Sequence, residues 1–232
     1  ARLGLPAMVI LPVVSIPIGL ALAYQLRGNH PHPKPTHGDD KIRLQASLGF
    51  IVLLAIVATL QSWSQANMIN FVPKYIKDLG LSPATYGNMA GLFMGGSALG
   101  NVIGGYFGDQ YTKRKVAATA LLFAALPIYI MSQIGWSPWL YALIPLAGAC
   151  TGAVHSIMVV LAQRMISGGM ALASGLILGF IFSSGALGML LTGPLAENYG
   201  FPTVLVMTTG LVLLASPLAW MLKEKPLVVT SK

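Results

Sequence analysis

Two stretches of this chain carry side chains that are costly inside an apolar sequence. One is QSWSQANMIN, Gln61 to Asn70, in the middle of a long hydrophobic run. Gln61 and Gln65 are one helical turn apart and share a face, Asn67 and Asn70 lie on an adjacent stripe, and Trp63 stands among them. Amides at membrane depth are expensive unless they face protein or water. The cluster is therefore either hydrogen-bond glue between helices or a cavity wall that touches a solute. The other is His155, alone within a second apolar run. An ionisable group there is either a carrier of a proton or solute contact, or a neutral histidine bonded to a neighbouring helix. This is the chemistry of binding and proton exchange. A membrane enzyme would call for paired carboxylates, a Ser/His constellation or a metal cluster, so no catalytic residue, metal or cofactor is assigned.

A third stretch is the charged turn GGYFGDQYTKRKV, Gly104 to Val116. The chain has only six acids against fourteen Lys plus Arg, yet Asp109, Lys113, Arg114 and Lys115 all fall in this turn. The cations suit a topological role. Asp109 ends an apolar span, where the helix dipole disfavours a carboxylate, so it needs a cation in the same turn or another helix N-terminus.

The elements that must position these groups follow from composition. The chain has 232 residues, 55% hydrophobic and 9% charged, with mean hydropathy +0.73. Soluble domains carry about 25% charged residues, and the apolar runs here have the roughly 20-residue length that crosses a bilayer as helix. The class is a polytopic all-α membrane protein, with the lipid bilayer as its first partner. Seven spans are expected, at 3–26, 44–72, 84–107, 115–133, 138–163, 170–194 and 201–222. Between the first two lies RGNHPHPKPTHGDDKIR, whose His30, His32 and His37 read as part of a solvated linker rather than a metal site. Cys150 is the single cysteine, which excludes an intrachain disulfide.

The net charge of +8 is topological rather than a sign of nucleic-acid binding. Loops on one side hold eleven of the fourteen Lys and Arg; the other side has Arg2, Lys74 and Lys77. The richer side is expected to be cytoplasmic, and the C-terminus with it. The chain opens on Ala1 almost directly into an apolar segment and reads as a piece of a longer protein.

A shift of 88 residues superposes the sequence on itself: Gly87 on Gly175, Gly91 on Gly179, Gly100 on Gly188, Gly105 on Gly193, Tyr111 on Tyr199 and Asp109 on Glu197. Three spans separate the copies, and an odd number inverts the second, as in secondary transporters. Gly96, Gly100, Gly104 and Gly108 form a bare stripe, copied as Ser184, Gly188, Thr192 and Ala196. Such stripes let helices approach closely; the stripe is read as static packing and as a face that rocks against a neighbour.

Gly105, Asp109, Lys113, Arg114 and Lys115 match, with substitutions, the spacing of the G-x-x-x-D-R-x-G-R-[RK] loop of the major facilitator superfamily. Gln110, Thr112 and Lys113 depart from that pattern. The run SIMVVLAQRMISGGMALASGLILGF, Ser156 to Phe180, resembles the fosmidomycin-resistance type of efflux protein. The resemblance implies seven transmembrane helices: the last helix of an N-terminal half (1–26), a cytoplasmic linker (27–43), a six-helix C-terminal bundle with 3+3 inverted repeats (44–222) and a cytoplasmic tail (223–232). It further implies a bacterial inner-membrane secondary transporter of small molecules, partnered by the missing N-terminal half and proton-coupled for drug efflux. Asp109 and Arg114 would be a conformational latch, and Gln61, Trp63, Gln65, Asn67, Asn70 and His155 would line the cavity. No Asp or Glu lies well inside a span, which places the main coupling carboxylate in the missing half. An uptake permease and a non-transporting receptor on the same fold are the alternatives.

Overall fold

The computed structural model describes the backbone at 43–44, residues 46–167 and 170–222, and five exposed helical positions between 16 and 24. The chain divides into two compact units, 1–41 and 42–232. Most of the expected first span, the linker with its three histidines, the loop glycines Gly168 and Gly169, and the tail 223–232 lie outside the described residues.

The second unit is helical. Its elements are β1 (Arg43–Leu44), α1 (Leu48–Asp78), α2 (Pro83–Gln110), α3 (Lys113–Ile134), α4 (Leu140–Gln163), β2 (Ile166–Ser167) and α5 (Met170–Trp220). β1 and β2 form a minimal antiparallel pair, Arg43 opposite Ser167 and Leu44 opposite Ile166. Helix starts follow local chemistry. Ser47 and Ser82 accept from the amides of Phe50 and Thr85, satisfying donors that the first turn leaves orphaned, and Pro83 fits the first helical position.

Two boundaries differ from the sequence reading. The span expected to end at residue 72 continues as helix to Asp78, through Pro73 and past Lys74, which pairs with Asp78 at 2.8 Å. Apolarity ends there before the helix does. The break expected between residues 194 and 201 narrows to one residue. The helix runs through Pro194 and departs from helical geometry at Gly200, whose φ of 78° is accessible to a residue without Cβ. Proline inside a membrane helix removes one hydrogen bond that neighbours can replace, whereas a left-handed residue turns the chain. The ring of Phe201 stacks on Tyr75 of α1, centroids 4.2 Å apart, fixing the turn against the bundle.

By length and composition, four described helices can cross a membrane: α1, α3, α4 and the Ser174–Trp220 part of α5. At about 1.5 Å per residue, α5 is more than twice as long as a roughly 30 Å hydrocarbon core is thick, and Gly200 divides it. The remaining expected span, on α2, is less apolar because it holds eight glycines and Asn101.

The glycine stripe is used inside this bundle. A Cβ at Gly96 would collide with the backbone of Pro145, at Gly100 with Ala149, and at Gly104 with Ala153. From the other side, Gly148 meets the carbonyl of Phe93 and Gly152 that of Ser97. The α2–α4 seam is thus backbone against backbone. Gly108 is buried with ordinary room beside Ile157. In the second copy, Gly188 lies under the Trp63 ring of α1, Gly185 lies against Ser62, Ser184 and Thr192 are buried, and Ala196 is half-buried. A Cβ at a different set, Gly87, Gly91, Gly95, Gly175 and Gly179, would meet nothing within 4 Å among the described residues.

Candidate solute cleft and charged turn

The polar cluster of α1 is a connector before it is a wall. Gln61 is fully buried; its Nε2 donates to Gln65 Oε1 at 3.1 Å and to the Thr151 carbonyl of α4 at 3.3 Å. Gln65 Nε2 donates onward to Ser97 Oγ of α2 at 3.0 Å. Three helices are joined by two amides, and Gln61 Oε1 remains buried with no partner among the described residues.

Beside this chain lies a cleft of about 380 Å³. α1 contributes Gln65, Ala66 and Asn70, α2 contributes Asn101, α4 contributes His155, and α5 contributes Phe182 and Met189, among others. Asn70 Nδ2 donates to the Ala66 carbonyl at 2.8 Å and lies 2.9 Å from Met189 Sδ. His155 is half-buried, and its Nδ1 is buried with no hydrogen-bond partner among the described residues. Whether it carries the proton and donates or lacks it and accepts, a buried ring nitrogen calls for a polar partner.

Of the six residues expected in the cavity wall, Gln65, Asn70 and His155 line the cleft and Gln61 sits behind it. Trp63 and Asn67 lie elsewhere. Trp63 Nε1 donates to Thr192 Oγ1 at 2.8 Å, and Asn67 Nδ2 donates to Thr208 Oγ1 at 3.1 Å. At about 100° per residue Asn67 is rotated off the face that Ser62, Gln65, Ala66 and Ile69 share, whereas Trp63 borders that face beside Asn70 and its indole lies instead over Gly188 of α5. Asn67 and His155, which the 88-residue shift also superposes, thus face different surroundings. The sequence reading missed Asn101. Its signal was present, since it lies one turn after Ser97 on the same face of α2 and donates to the Ser97 carbonyl at 3.0 Å.

At the charged turn, Asp109 has the partner its position requires. The partner is Lys113, at 3.2 Å, rather than the expected Arg114. The ammonium is almost fully buried and also donates to the Gly108 carbonyl at 2.9 Å, whereas Asp109 is 81% exposed. Lysine therefore caps the C-terminus of α2, where a cation and a donor are both favourable. Gly105 has open space around it, Arg114 is half-buried and Lys115 is exposed.

Long apolar helices define an integral membrane protein, and among them lies a mostly apolar cleft that carries a few polar groups. The family model described as Major Facilitator Superfamily matches residues 53–232, and the chain belongs to that superfamily. Over 175 residues, 75% of this chain, it is 27% identical to the fosmidomycin resistance protein of Escherichia coli (strain K12), covering 43% of that protein. Over 109 residues, 47% of this chain, it is 30% identical to the uncharacterized MFS-type transporter YfnC of Bacillus subtilis (strain 168), covering 26% of it. The matched region thus spans under half the length of either relative. No solved structure matches the chain.

Proposed function

We propose that this chain is the C-terminal half of a secondary transporter that works by alternating access and exports small amphipathic compounds in exchange for protons. The observation that carries the reading is the cleft, where Gln65, Asn70, Asn101 and His155 from three helices converge beside apolar α5 side chains. Few polar groups in a mostly apolar wall suit a small amphipathic solute. The similarity to a fosmidomycin resistance protein supports export.

In this reading α1 to α3 and α4 to α5 are inverted copies, preceded by the last helix of an N-terminal half. Reciprocal packing supports this, since the small-residue stripe of α2 lies on α4 while that of α5 lies on α1. The open set Gly87, Gly91, Gly175 and Gly179, matched pairwise by the 88-residue shift, is the smooth face that rocks against the other half. Asp109 and Lys113 are the fixed part of a conformational latch that Arg114 joins in one state. His155 takes up a proton or a solute donor, and the main coupling carboxylate belongs to the other half. The protein resides in a bacterial inner membrane with its C-terminus cytoplasmic.

The test uses the full-length protein in proteoliposomes with an imposed pH gradient, following internal pH as fosmidomycin and other amphipathic drugs are added. Substrate-dependent proton movement in wild type, reduced in His155→Ala, is expected. Proton movement that no compound alters would overturn the coupled-export reading.

A further inference from the structure

Another hollow of the bundle shares no lining residue with the cleft. It is an apolar groove of about 530 Å³ on the outer side of α2, α3 and α4. Its floor consists of residues with little or no side chain, Gly100 and Gly104 on α2 and Ala149 and Ala153 on α4, along the seam where the two backbones meet. Its rims are bulky: Phe107, Phe123, Leu126 and Leu146, each between 42% and 66% exposed. The close α2–α4 contact thus leaves a trench between two ridges.

One end of this trench is polar and the other is not. Tyr111 and Lys115 stand at one end, and Leu126, Pro127 and Leu146 at the other. Along α3 the groove runs from Lys115 to Pro127, about 18 Å at 1.5 Å per residue. Along α2 it runs from Tyr111 back to Gly100, a similar length. This is roughly one leaflet of a hydrocarbon core about 30 Å thick. The charge at the polar end is positive. Lys115 is exposed, and neighbouring Asp109 is held by Lys113, so the carboxylate does not cancel it.

We propose that this groove holds one phospholipid with an anionic headgroup, from the leaflet on the side of the charged turn. An acyl chain lies over Gly104 and Ala153, and the phosphate is paired with Lys115. A soluble apolar ligand would not need a cation at one end, and a solute confined to mid-membrane would not need a groove open to the interface. The occupant also explains why so many large apolar side chains border a trench instead of filling it. Lipid tails are as apolar as the groove wall, so shape holds the chain, and the cation beside an anionic headgroup adds selectivity for charge.

Cys150 lines the groove, is half-buried, and is the only cysteine in this chain, so its reactivity reads occupancy directly. The experiment uses full-length protein in detergent, with any cysteine outside this chain replaced by serine. The rate of Cys150 alkylation by N-ethylmaleimide is followed as dioleoyl phosphatidylglycerol or dioleoyl phosphatidylcholine is added. The expected result is alkylation slowed severalfold by phosphatidylglycerol at concentrations where phosphatidylcholine has little effect. Lys115→Gln should make the two lipids equivalent. Ala120→Trp, which fills the groove away from the glycine seam, should slow alkylation without any lipid. Equal protection by both lipids in the wild type would overturn the proposal, as would a phosphatidylglycerol preference that survives Lys115→Gln. A Cys150 already unreactive without lipid would mean that protein covers the groove, and would overturn it as well.

Discussion

Lys113 donates to the carbonyl of Gly108, five residues earlier, at 2.9 Å, and this contact is more buried than its ion pair with Asp109. The two bonds therefore contribute differently. A buried bond from a charged donor is worth about 1.5–3 kcal/mol, while a pair with an exposed carboxylate is worth about 0–1 kcal/mol. Lys113→Met is expected to lower the melting temperature of the full-length protein in detergent clearly, and Asp109→Asn to change it little. Equal losses would assign the stability to the ion pair instead.

The α2–α4 seam gives a prediction about single methyl groups. Gly100→Ala places a Cβ inside the backbone of Ala149 and forces the helices apart, a cost of about 1–3 kcal/mol or more. Gly91→Ala enters open space and is expected to leave the melt unchanged or raise it slightly, since alanine favours helix over glycine by up to about 1 kcal/mol. Thermal unfolding of both variants decides this. If the open glycines face the other half during the transport cycle, Gly91→Leu will reduce transport while preserving the melt.

Trp63 and Gly188 make a coupled pair across α1 and α5. The indole covers Gly188 and its Nε1 is bonded to Thr192. Gly188→Ala alone should destabilise, and Trp63→Leu alone should destabilise. The double variant should be more stable than the sum of the two losses by about 0.5–3 kcal/mol. Additive losses in a double-mutant cycle would show that the contact is not tight.

Asn67 and His155 occupy matched positions in the repeat but are expected to fail in different ways. Asn67→Ala leaves Thr208 without its buried amide partner and should cost about 1–3 kcal/mol of stability. His155→Gln touches the cleft wall, where the ring makes no protein hydrogen bond through Nδ1, and should leave the melt intact while altering transport. Paired melting and flux measurements separate the two. A His155→Gln protein that unfolds early would mark the histidine as structural.

Much of this molecule is decided locally and is legible in one dimension. The bilayer fixes the length of apolar runs, serine caps fix helix starts, and the 88-residue shift relates Gly100 to Gly188 without any coordinates. The tilt of the charges in Gly104 to Val116 likewise required a partner for Asp109, because a carboxylate at a helix C-terminus is unfavourable on its own. The extent of α1 past residue 72 and of α5 past Pro194 was not legible, since helix continuity depends on backbone bonds, and these outlast the apolar run.

What only the tertiary structure decided is which partner each face meets. Periodicity places Gln65, Trp63 and Asn67 around α1, but not which side holds the cleft and which holds α5. It marks Gly96, Gly100 and Gly104 as a close-approach stripe, but not that α4 occupies it and leaves Gly87 and Gly91 open. It offers Lys113, Arg114 and Lys115 equally to Asp109; the turn geometry selects Lys113 and leaves Lys115 at the end of an apolar groove. A sequence fixes the pattern on each helix surface through the 3.6-residue repeat, while the rotation of one helix against another is set by packing between residues far apart in the chain.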